Sequence, residues 1–146
     1  MRTRPADLAL TVETKALCEY VFSVTPSAPK RFRFTFVTRL DNLSLSLVET
    51  VYRANDTYIG KGCSPGSPRR RLDLQQEALT DARLLAYIAE VAYRQGCLLM
   101  KQFEQIGQRS ARCQWLLGAW ISSDKKRLAA EQGASTATAA AARGGT

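Results

Sequence analysis

The chain has 146 residues, 45% of them hydrophobic, a length that supports one core and is short for two domains. It holds no histidine, which removes the commonest general base, the Ser-His-Asp and Cys-His pairs and most zinc sites, and so argues against an enzyme, a metal and a cofactor. With 21 Lys and Arg against 13 Asp and Glu, the net charge of +8 favours polyanions. No stretch reaches the roughly 20 consecutive apolar residues of a bilayer span, and Met1 to Ala9 lacks the apolar block of a signal peptide, so a cytoplasmic protein is expected.

Four helical segments are predicted. The first runs from Asp7 to Ser23, with Leu10, Thr14, Leu17 and Val21 on one stripe, and ends before the turn from Pro26 to Pro29. The second runs from Lys30 to Tyr58. Its apolar positions Phe36, Leu40, Leu43, Leu47, Val51, Ala54 and Tyr58 step by four and three, the period of a buried helical seam. Phe32 to Val37 taken alone resembles a short strand, but the stripe beyond it favours helix.

Gly60, Gly62, Pro65 and Gly66 then force a turn. Ser67 is placed as an N-cap with Pro68 first in the third helix, which continues to Gln95 and stops at Gly96. Between Leu84 and Tyr93 only Glu90 is charged, which predicts two buried faces on this helix. The fourth helix is predicted from Met100 to Ser122. From Leu128 onward the chain loses large apolar residues and is expected to be a disordered tail, 128–146. Short connections favour an all-α, up-down-up-down antiparallel four-helix bundle over residues 1–127. Cys18, Cys63, Cys97 and Cys113 form no C-x-x-C pair and read as reduced core or loop residues. Gly60-Lys61-Gly62 lacks the spacing of a phosphate loop.

Two basic clusters open helices, where the helix dipole disfavours cations: Lys30, Arg31 and Arg33, and Arg69, Arg70 and Arg71. A bound anion would offset that repulsion. The bundle topology brings the first cluster near Lys101, and gathers the second with Lys125, Lys126 and Arg127. Both ends become basic, as solvated ends or as phosphate-binding surfaces. Arg109 and Arg112, three residues apart on the fourth helix, are candidates for a basic stripe. Arg53 follows Glu49, and Arg94 follows Glu90, at the spacing of surface ion pairs. Trp115 and Trp120 lie about 140° apart around their helix, so one should fill the bundle and the other a second interface. With Tyr87 and Val91 on the apolar third helix, they point to a homo-oligomer.

Lys30-Arg31-Phe32-Arg33-Phe34 continuing to Tyr52-Arg53-Ala54-Asn55, then Arg70-Arg71-Leu72-Asp73, then Leu116-Leu117-Gly118-Ala119-Trp120-Ile121 with Asp124-Lys125-Lys126-Arg127, have a familiar order. These segments resemble the accessory variability determinant (Avd) proteins of diversity-generating retroelements, which are similar to four-helix proteins of bacterial ribosomal RNA intervening sequences. The resemblance covers Thr11 to Arg127 and rests on extent and order, since no short catalytic signature anchors it. It implies a homopentameric barrel of four-helix protomers, encoded by a bacterium or phage, that binds a reverse transcriptase and its structured template RNA or the RNA/cDNA hybrid. The implied role is support of mutagenic, adenine-specific cDNA synthesis, with the polymerase chemistry in the reverse transcriptase. The competing expectation is a structural or protein-interaction bundle of the intervening-sequence type, whose charge serves solubility.

Overall fold

The computed structural model describes the backbone of residues 5–144 and the side chains of residues 9–144. Expectations for residues 1–4 and for the last two residues of the tail lie outside the described residues. The regular helices are α1 (Pro5–Val24), α2 (Thr38–Asp56), α3 (Ser67–Arg94) and α4 (Met100–Arg143), and every element among the described residues is helical.

The apolar spacing decides which face of each helix is covered. The predicted α1 stripe, Leu10, Thr14, Leu17 and Val21, is buried throughout. In α2 the seam is Leu40, Leu43, Leu47, Val51 and Ala54, and in α4 Ile106, Cys113, Leu117 and Trp120 lie inward. α3 contributes mainly small residues, Ala78, Ala82, Ala89 and Ala92 around Leu85. Those alanines let α2 and α4 approach its backbone: the Ser110 hydroxyl donates to the Ala82 carbonyl at 2.6 Å. Each fully buried leucine contributes about 1.5–3 kcal/mol over its exposed state.

Cross-helix pairs fix the topology. Thr25 meets Asp41 and Lys15 meets Tyr52. Ser46 meets Asp81 and Arg71 meets the Thr57 carbonyl. Arg71 also meets Asp124, while Tyr93 stacks on Phe103. Glu13 meets Arg112 and Tyr20 meets Arg109. In every couple one number rises as the other falls, so successive helices are antiparallel and α4 closes against α1 in a four-helix bundle.

Several predicted boundaries are corrected. The second segment is not one regular helix from Lys30: a 3-10 turn, Lys30–Phe32, and a π turn, Arg33–Val37, precede α2. Pro29 holds an extended backbone immediately before them, and the Thr38 hydroxyl donates at 2.6 Å to the Arg33 carbonyl five residues back, the reach of a wide turn. Tyr58 lies beyond α2 and is exposed, its hydroxyl donating to the Lys61 carbonyl at 3.0 Å. Gly66, not Ser67, holds the N-cap position of α3.

The largest correction is at the C-terminal end. Where a disordered tail is predicted, α4 continues to Arg143. Loss of large apolar residues predicts loss of packing, but alanine has the highest helix propensity and no proline interrupts the run. Residues 129–143 are exposed and project beyond the bundle by about 22 Å. Gly96 behaves as its sequence context predicts: it takes φ +82°, and the Cys97 N–H returns to the Ala92 carbonyl at 2.8 Å, closing α3.

Candidate nucleic-acid interface

At the end of the bundle formed by the α1–α2 and α3–α4 connections, Lys30, Arg31 and Arg33 are exposed. Arg31 stacks its guanidinium 4.6 Å from the Phe32 ring centroid, and its Nη2 lies 3.8 Å from where a Cβ on Gly96 would stand. The cluster therefore reaches the α3–α4 turn, beyond which Lys101 lies exposed in the first turn of α4. Among the described residues no ion pair engages Lys30, Arg33 or Lys101. The acid nearest to Arg33 along the chain is Asp41, whose carboxylate accepts the Thr25 hydroxyl at 2.9 Å. Partial burial pushes the Asp41 carboxyl above its ordinary range, against the lowering effect of that hydrogen bond.

At the opposite end the arginine run divides into three environments. Arg69 pairs with Asp73 at 3.1 Å on the surface, an interaction worth little in solvent. Arg70 is exposed and free of an ion pair among the described residues. Arg71 turns inward: its Nε donates to Asp124 Oδ2 at 2.7 Å, Nη2 to Oδ1 at 3.2 Å and Nη1 to the Thr57 carbonyl at 3.3 Å. Gln75 Nε2 donates to the same Asp124 oxygen at 2.7 Å, and the Arg71 guanidinium lies 4.8 Å from the Trp120 ring centroid. With Arg71 only 11% exposed and Asp124 5%, this arginine is an internal strut rather than a phosphate ligand. Lys125 and Lys126 are exposed, whereas Arg127 is half-buried beside Glu131 at 3.6 Å.

On the side of α4 facing α1, Arg109 lies 5.3 Å from the Tyr20 ring centroid and its buried Nε lacks a hydrogen-bond partner. Arg112 sits between Glu13, at 4.0 Å, and the Trp115 ring, 5.9 Å away. The two therefore line the α1–α4 seam and are partly engaged by aromatic rings and one acid. Of the predicted i,i+4 pairs, Arg94 and Glu90 meet at 2.7 Å.

The tryptophans separate as their spacing requires. Trp120 is 4% exposed and belongs to the core beside Leu116 and Leu117, so it is the one of the two that fills the bundle. Trp115 is 66% and Tyr87 59% exposed, while Val91 is half-buried.

Sequence reasoning missed Asp124, Gln75, Asp41 and Asp81 as partners of buried or half-buried polar groups. Asp81 accepts the Ser46 hydroxyl at 2.7 Å across α2 and α3. No signal along the chain pairs residues 35 to 53 positions apart. No protein-family model and no curated protein sequence matches this chain.

Proposed function

We propose that the chain is a basic, non-catalytic accessory subunit that binds structured template RNA, or its RNA/cDNA hybrid, together with a reverse transcriptase. In this reading it supports adenine-specific mutagenic cDNA synthesis, as the Avd resemblance implies, and acts in the cytoplasm of a bacterium as a homopentamer. One observation carries the nucleic-acid part: exposed cations without ion-pair partners among the described residues stand at both ends of the bundle, namely Lys30, Arg33, Lys101, Arg70, Lys125 and Lys126. Cations so placed fit phosphates spaced along a strand and carry no base information themselves.

The test is a salt titration of binding to structured RNA, with and without the reverse transcriptase. Binding should weaken steeply with salt, and removing one cation that neutralises a phosphate should flatten the log–log slope by about 0.7–0.9. Charge reversal of Lys30, Arg33, Arg70, Lys125 and Lys126 should reduce both affinity and slope. Affinity that ignores salt, or survives the reversal, sinks the proposal. Arg71 is left unchanged in that variant, because its loss would disturb the core.

A second reading, a protein-interaction bundle, is favoured by exposed Trp115 and Tyr87. It predicts partner binding that is insensitive to salt and to the five reversals.

A further inference from the structure

Between the end of α1 and the start of α2 lies a groove of about 400 Å³, lined chiefly by Phe22, Thr25, Pro26, Lys30, Arg33 and Asp41. Three different recognition chemistries meet in it. Phe22, 42% exposed, supplies an aromatic wall. Lys30 and Arg33 supply exposed cations. Asp41 supplies an acceptor: one carboxylate oxygen takes the Thr25 hydroxyl, and the other has no partner among the described residues. Phe34, 87% exposed, stands one residue beyond Arg33.

This combination does not suit a bare inorganic anion, because the Asp41 carboxylate would repel it from the groove. It suits a flat heterocycle that donates a hydrogen bond and carries phosphates outside. Sites for small ligands begin near 300 Å³, so the volume suits one such unit. Bases stacked in a duplex cannot enter a groove of this kind, whereas unpaired bases stack on aromatic side chains and offer their edges. A carboxylate selects an exocyclic amine, as Asp and Glu do with the cytosine amino group. We propose that the groove takes one unpaired, amino-bearing base of a single-stranded segment, its ring against Phe22, its amine on Asp41 and the flanking phosphates on Lys30 and Arg33. This rests on the nucleic-acid reading above and names the part of the RNA that the α1–α2 end would hold.

The experiment measures binding of the full chain to labelled cytidine and uridine oligonucleotides at one salt concentration. Cytidine should bind roughly fivefold more tightly, the scale of one hydrogen bond. Asp41→Asn keeps an acceptor for Thr25 but can donate to uracil, so the preference should fall toward one. Phe22→Leu keeps apolar volume and removes the flat ring; it should weaken both oligonucleotides about tenfold, the scale of one stacked base. Thermal unfolding of each variant monitors the fold. Equal binding of the two oligonucleotides, or a preference that survives Asp41→Asn, overturns the groove proposal while salt-dependent RNA binding leaves the accessory reading standing. Failure of the unaltered chain to bind either oligonucleotide or structured RNA overturns both. Variants that keep oligonucleotide binding but lose the reverse transcriptase assign the groove to a protein, which also overturns it.

Discussion

Asp124 is a buried acid on which three side-chain N–H donors converge. It is 4% exposed and receives Arg71 through two nitrogens and Gln75 through a third, while Arg71 lies over the Trp120 ring. Asp124→Ala strands the Arg71 guanidinium in the interior and should cost about 3–5 kcal/mol in urea unfolding. Arg71→Met combined with Asp124→Leu removes both charges and should recover most of that loss; a double variant as unstable as the single one would deny the pair its role. None of this was legible in the sequence, where Arg71 reads as one of three equivalent arginines, because the partner lies 53 positions away. Asp81 offers a sign that can be worked out. Burial raises its carboxyl above 3.8, so the folded chain binds that proton more tightly than the unfolded chain, and stability contributed by this group falls as pH rises through the raised value. Asp81→Asn keeps an acceptor for Ser46 and should be more stable than the unaltered protein at neutral pH, the difference closing as pH drops below the ordinary carboxyl range. A difference that widens in acid would reverse the assignment. Cys113 is fully buried and its thiol is pushed up to about 12, chiefly by burial. At pH 8 iodoacetamide should therefore modify half-buried Cys18 and Cys63 while Cys113 reacts only after unfolding, as peptide mass mapping would read.

Elements were legible where packing and helix formation give the same signal. The four-and-three stepping from Leu40 to Ala54 is the buried seam of α2, and Gly96 ends α3 in the left-handed conformation that its position demands. They were illegible where the two signals part. Phe36 packs on the core and Phe34 stays out as the seam predicts, but the widened backbone of the π turn at Arg33–Val37 leaves no mark in a period of 3.6. The end of α4 is the converse case, helical by propensity with nothing packed on it. An isolated helix of that length is marginal in water even when rich in alanine. A chain ending at Gln132 should therefore keep its thermal midpoint within a degree or two, because every residue from 133 to 144 is exposed. It should lose helical ellipticity at 222 nm by less than the share of residues removed, because the extension is only partly helical in water. Amides of 134–143 should also exchange with solvent far faster than those of the α4 core near Cys113 and Leu117. A fall in the midpoint of many degrees would mean that the extension packs against something.

At the scale of the whole molecule, the six cations offered for phosphate and the most exposed tryptophan lie in different places. Lys30, Arg33, Lys101, Arg70, Lys125 and Lys126 stand at the bundle ends, whereas Trp115 points outward from the middle of α4 beside Arg112, opposite the face that carries Cys113, Leu117 and Trp120 inward. An end that holds phosphates and a flank that holds another protomer would not compete, so the nucleic-acid and oligomer readings can both hold in one chain. The two tryptophans test this separation directly. Trp120→Ala opens the core and should cost about 3–5 kcal/mol. Trp115→Ser removes a ring that is 66% exposed, and should leave unfolding of the isolated protomer within about 0.5 kcal/mol. If α4 presents this flank to a second copy, the Trp115 variant will sediment as a smaller species than the unaltered chain while retaining its salt-dependent affinity for RNA. An unchanged mass would remove Trp115 from the interface, and a weakened affinity with unchanged mass would place RNA on the flank instead of the ends.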